Sequence, residues 1–175
     1  MIGKATASQS AGWIQTVVVG RHPAWTLARI AILVVSVFVL VKYVILIRKI
    51  ESTSMLPTFR EGSIHFIYRL AYRGASKPRR GDIVGIRTSG ETVMYVKRVV
   101  GLPGERLSIR DGVIWIDGKP LEEPYVRPGR RPWNRQIITL GETQYFVVGD
   151  NRSMAQEQHE FGVVDGERIL GRVIR

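Results

Sequence analysis

Two residues stand where an alcohol can be turned into a nucleophile. Ser54 lies in the stretch Ser52-Thr53-Ser54-Met55-Leu56-Pro57-Thr58, and Lys97 lies in the strand-like run Val93-Met94-Tyr95-Val96-Lys97-Arg98-Val99-Val100. A hydroxyl attacks poorly until a neighbouring base takes its proton, and a lysine is that base only where its surroundings disfavour the ammonium form. The apolar neighbours of Lys97 supply such surroundings. Taken singly, neither residue is diagnostic, because a serine after a helix usually caps or turns and a strand lysine usually faces water. Together they point to serine–lysine hydrolytic chemistry. His22, His65 and His159 have no metal-ligand spacing, so a zinc or histidine-triad mechanism finds little support. The absence of cysteine excludes thiol catalysis, disulfides and cysteine-based metal sites.

The elements that must position this pair begin with an apolar run. A chain of 175 residues accommodates one ordinary domain plus a tail or anchor. Ile30–Ile47 is long enough for a spanning helix, and Thr26–Ala28 extends it, so the expected anchor covers residues 26–48 after an N-terminal tail at 1–25. Lys42, the only charge within Ile30–Ile47, lies near the end, where its ammonium can snorkel to the headgroups, and Trp25 and Tyr43 suit the interfaces. A cleaved secretory signal would have a shorter apolar core and a small-residue cleavage site, whereas Arg48-Lys49-Ile50-Glu51 follows here. A buried core helix is the other soluble alternative. Flanking charges (Lys4, Arg21 and Arg29 against Arg48 and Lys49) do not decide the orientation.

Past Glu51 the composition changes to short β-branched and aromatic runs broken by glycine, proline and acidic turns, which predicts a mainly β domain over residues 49–175. Val113-Ile114-Trp115-Ile116 is bracketed by Asp111-Gly112 and Asp117-Gly118, so two tight hairpins around one strand are expected. Between Pro120 and Trp133, prolines, glycine and arginines interrupt any period, and a surface excursion is the default reading. The net charge of +11, from 26 basic and 15 acidic residues, favours anionic partners. With no nucleic-acid module around the scattered arginines, membrane lipid is the expected partner and nucleic acid is not; a solvated basic face is the plain alternative.

In order along the chain, these segments resemble the boxes of the type I signal peptidases, or leader peptidases. Ser52–Thr58 looks like the nucleophile box, Arg80-Gly81-Asp82-Ile83-Val84 like the next, and Tyr95–Glu105 like the lysine box. Gly149-Asp150-Asn151-Arg152 opens the last. Four boxes in order after an N-terminal anchor make the resemblance specific, and it covers nearly the whole chain. It implies a signal-peptidase-like β catalytic domain in which Ser54 is the nucleophile, Lys97 the general base and Ser52 an oxyanion-hole donor beside the Ser54 amide. Met55, Pro57, Asp82, Arg98, Gly149, Asp150, Asn151, Arg152 and Glu157 would support them, Asp82 and Asp150 as turn or ion-pair residues. It implies no metal or organic cofactor. The implied substrates are signal peptides of exported preproteins, ending in small residues of the Ala-x-Ala kind and cut on the trans side of the cell membrane.

The last box departs from the family pattern. Where a serine, an aspartate and an arginine are usual, the chain has Ala155, Glu157 and His159, so Lys97 loses one expected hydroxyl partner unless Ser153 replaces it. The chain therefore reads as an active but atypical member. A peptidase dedicated to one secretion or conjugation substrate and an inactive membrane-anchored assembly protein are the alternatives. A soluble self-cleaving repressor would need a DNA-reading domain for which the first 50 residues leave no room. Oligomeric state is not legible.

Overall fold

The computed structural model describes residues 23–87, 94–127, 132–155 and 162–174. Two compact units meet between Tyr43 and Val44. The described part of the first is the helix α1 (Pro23–Val39), which passes into a π-helical turn at Leu40–Val44. The apolar stretch Ala24–Val44 is 21 residues with a mean hydropathy of 2.4. At about 1.5 Å of rise per residue it matches the hydrocarbon thickness of a bilayer. Lys42 Nζ, in the π-helical turn, lies 5.5 Å from the ring centroids of Phe38 and Tyr43, so aromatic faces accompany this charge.

The second unit is built from antiparallel strands. Eleven are described: β1 (Ile45–Lys49), β2 (Ile64–Tyr68), β3 (Ile83–Arg87), β4 (Met94–Gly101), β5 (Arg106–Arg110), β6 (Val113–Ile116), β7 (Lys119–Pro120), β8 (Arg135–Thr139), β9 (Gln144–Val148), β10 (Gly162–Asp165) and β11 (Ile169–Ile174). One sheet has the order β1-β2-β11-β3-β4-β9-β10, and a second has β7-β6-β5-β8. The mainly β domain with one N-terminal apolar helix, expected from the sequence, is thus the observed architecture.

The apolar run does not stay helical to residue 48. Ile45–Lys49 instead pair with β2, Ile45 opposite Tyr68 and Lys49 opposite Ile64. β-branched Ile45 and Ile47 suit a pleated strand, and Leu46 packs into the cluster of Ile50, Met55, Phe59, Ile67, Ile83 and Val173. Both Asp-Gly pairs turn as expected, with positive φ at Asp111, Gly112, Asp117 and Gly118 bringing β5, β6 and β7 into two hairpins. A second cluster, including Val100, Leu107, Ile114 and Phe146, lies between the sheets. Gly171 is required by close approach: a Cβ there would lie 2.3 Å from the Tyr68 carbonyl oxygen, where β11 meets β2.

Across β1, β2 and β11 one face of the larger sheet carries an apolar row that no described residue covers. Ile47, Phe66 and Ile174 are register partners across β1, β2 and β11, and they are 44%, 46% and 46% exposed. Ile64, on the same face of β2, is 63% exposed. A row of this kind marks an interaction surface rather than ordinary surface scatter.

Candidate active site

Ser54 is presented by a tight turn. Thr53–Met55 form a single 3-10 turn whose cap is Ser52: the Ser54 amide donates to Ser52 Oγ at 3.1 Å. The Leu56 amide donates back to the Thr53 carbonyl at 3.1 Å, and the Phe59 amide donates to that of Met55 at 2.9 Å. Met55 and Phe59 are buried in the cluster beneath and fasten the turn to the sheet. The Leu56–Pro57 peptide is cis.

Lys97 comes from β4, where it is paired with Val84 of β3. Its side chain runs inward, and Nζ donates to Ser54 Oγ at 2.9 Å. The lysine is only 3% and the serine 4% exposed. A hydrogen-bonded hydroxyl and amine held out of water are the two parts that serine–lysine chemistry needs. Beside them lies a groove of about 520 Å3, with Ile50, Ser52, Ser54 and Met55 on one wall and Met94–Val96 on the other. β9 pairs with β4 only from Arg98 onward, so among the described strands Met94–Val96 have a neighbour, β3, on one edge alone.

The Gly149–Arg152 segment braces this turn from behind. The Asn151 amide donates to the Ser54 carbonyl at 3.0 Å, and Asn151 Nδ2 donates to the Thr53 carbonyl at 3.1 Å. Arg98 Nε and Nη2 donate to the two oxygens of Asp150 at 2.8 and 2.6 Å, and Thr58 Oγ1 donates to the same carboxylate. Burial works against the Arg98 charge, but the hydrogen bonds and attraction of Asp150 outweigh it and hold the guanidinium above its ordinary pKa. Arg152 is buried too: Nε donates to the Gly149 carbonyl at 3.0 Å, while both terminal nitrogens donate to Glu123. Asp82 accepts from the Tyr72 hydroxyl at 2.8 Å and from the Arg79 amide at 3.0 Å, away from the dyad. Burial, then the bond to Asp82, raises the Tyr72 phenol.

Sequence reasoning missed the part played by the 120–133 excursion. Glu123 and Trp133 within it are buried, and Tyr125 lays its ring 3.8 Å from the Arg98 guanidinium while its hydroxyl donates to Glu123 at 3.0 Å. Burial, then the Glu123 carboxylate, raises the Tyr125 phenol, which therefore stays protonated as a donor. Trp133 Nε1 donates to the Met154 carbonyl at 3.2 Å, next to Ala155. The segment ties Arg98 to Arg152.

A family model described as signal peptidase, peptidase S26 matches residues 24–175. The chain belongs to this family. It is 35% identical over 132 residues to signal peptidase I of Bacillus licheniformis, covering 70% of either chain, and 31% identical over 167 residues to signal peptidase I of Bacillus caldolyticus, covering 88% of either. A crystal structure of a signal peptidase I from Enterococcus faecalis V583 aligns with a TM-score of 0.46 and 29% identity over 58% of this chain and all of that one. By its family the protein is a peptidase of the signal peptidase I type, and among the described residues one helix is long and apolar enough to cross a membrane. Ala155, which the sequence sets at the expected serine position of the last box, is half-buried, and Ser153 Oγ donates to Asn151 Oδ1 at 2.6 Å. Glu157 and His159 lie outside the described residues.

Proposed function

We propose that this chain is a single-pass membrane endopeptidase that removes signal peptides from exported preproteins, with Ser54 as nucleophile and Lys97 as general base. The observation that carries the reading is the buried 2.9 Å contact between Lys97 Nζ and Ser54 Oγ. Burial penalises the ammonium, and a neutral amine accepts the proton that the hydroxyl gives up as Oγ attacks the scissile carbonyl. The resulting oxyanion is held by the Ser54 amide and the Ser52 hydroxyl. In the resting site these two groups are bonded to each other, so the substrate oxygen displaces Ser52 Oγ from the amide and then receives the hydroxyl proton. The Lys97 ammonium returns its proton to the leaving amine as the C–N bond breaks. Lys97 then takes a proton from the water that attacks the ester, and this proton returns to Ser54 Oγ as the ester bond breaks.

The signal-peptide side lies along the open edge of Met94–Val96, where main-chain hydrogen bonds give affinity and the shallow groove admits small side chains. In this reading the anchor occupies 24–44 and the peptidase domain follows, supported by the apolar row of Ile47, Phe66 and Ile174, which would contact lipid. Full-length protein in detergent is expected to cut a preprotein after an Ala-x-Ala sequence, and replacing the last alanine by tryptophan should cost at least about 100-fold in kcat/KM. Failure to cut any of a panel of preproteins would favour the non-catalytic assembly reading, for which Ala155 is the motivating feature.

In the proposed topology the catalytic domain faces the trans side, where signal peptides emerge. Because the chain has no cysteine, Lys119→Cys, on the exposed β7, gives a single reporter. A membrane-impermeant maleimide should label it from the trans side of intact cells. Labelling that requires access from the cytoplasm would reverse the orientation.

A further inference from the structure

The nucleophile turn is a wall shared by two clefts, and only one has been given an occupant. Ser52, Ser54 and Met55 face the groove already described; Leu56 and Pro57 face a second cleft of about 510 Å3 whose far side is formed by Asn151 and Ser153. Arg60 and Arg127 line this second cleft. Beyond Pro57 and Arg127 it continues into an open trough walled by Phe59, His65 and Tyr125. Asp150 and Arg152 also border the cleft, but Asp150 is engaged by Arg98 and Thr58, and Arg152 by Glu123. Arg60 and Arg127 are exposed and enter no ion pair among the described residues. Two uncommitted guanidiniums thus converge on a concave surface whose other charges are already neutralised.

The Asn151 amide is bonded to the Ser54 carbonyl, so the lip of this cleft adjoins the reacting centre. On the proposed path, a peptide lying along Met94–Val96 and passing over Ser54 would leave on the Leu56–Pro57 side, where the second cleft begins. At about 3.3 Å per extended residue, the first few residues after the cut reach the arginines. We propose that the cleft is a subsite for the mature side of the substrate, in which Arg60 and Arg127 select acidic residues just after the scissile bond. This rests on the peptidase reading above and adds to it a preference on the mature side of the cut. Carboxylates match guanidinium geometry, and the partly open setting makes the preference modest and salt-sensitive.

The test uses full-length protein in an uncharged detergent and two peptides identical up to the scissile bond, followed in one by aspartates and glutamates and in the other by asparagines and glutamines. The acidic peptide should be favoured about fivefold in kcat/KM at low ionic strength, with the ratio falling toward one at high salt. The double variant Arg60→Gln/Arg127→Gln should also bring the ratio to about one, and because both peptides are cut by the same preparation, a folding defect cancels. A wild-type ratio of one, or a ratio that survives in the double variant, overturns the subsite. If the ratio is one while the double variant loses binding to anionic vesicles, the arginines serve lipid headgroups and the subsite is likewise overturned. If neither peptide is cut, the peptidase reading and the subsite fall together; equal cleavage of both removes the subsite alone.

Discussion

Replacing Lys97 with methionine is expected to lower kcat for preprotein cleavage by at least about 1000-fold, the size of effect associated with losing a positioned general base. Methionine fills much of the same channel from β4 to Ser54 without a charge, so the buried strand keeps its packing while the proton acceptor disappears. Ser54→Ala should lose at least as much, and the double variant should be little worse than either single one, because in the proposed mechanism base and nucleophile act as a unit. In the proposed mechanism the pH dependence has a fixed sign: protonated Lys97 cannot accept the Ser54 proton, so activity should fall in acid. His65 is no substitute base. Its ring packs at a tilt against Phe59 and is hydrogen-bonded with Ser63 Oγ at 2.9 Å, and burial lowers its pKa. Initial rates with and without Lys97 decide the matter. A methionine variant that keeps more than about a tenth of wild-type kcat would remove lysine from the chemistry.

The meeting of Ser54 and Lys97 was legible because each carries its context in adjacent residues. The turn around Ser54 is written in Ser52 and in the apolar Met55 and Leu56, and the burial of Lys97 in the valines of its own strand. The hairpins were equally local, since Asp-Gly pairs dictate positive φ whatever lies around them. What escaped depends on partners far apart in sequence. Ile45–Lys49 are apolar enough to continue a helix, and only β2 and the cluster around Met55 make them a strand. Glu123 sits among prolines and arginines that read as solvated loop. Its burial follows from Arg152, 29 residues later, which no local period announces. Asn151 likewise reads as a turn residue, yet its amide and side chain hold the carbonyls of Ser54 and Thr53.

Glu123→Gln is accordingly expected to destabilise the protein by about 3–5 kcal/mol, because it leaves the Arg152 guanidinium buried without its countercharge. The side chains of this pair are 0% and 1% exposed, so water cannot reach in to compensate. For a domain of this size, the loss corresponds to a fall in Tm of about 10 °C or more. Activity should fall as well, since Arg152 is fastened to Gly149 and follows directly on the Asn151 that braces the Ser54 turn. Replacing both partners, as Glu123→Met/Arg152→Met, removes the stranded charge and should recover much of the Tm, because an apolar pair in a buried site often matches the ion pair it replaces. The two readouts then separate. If stability returns while kcat stays low, the guanidinium itself is needed to set the Asn151 brace; if both return, the pair only fills space. A Tm for Glu123→Gln within about 2 °C of wild type would mean that the carboxylate charge is not what holds Arg152 in place.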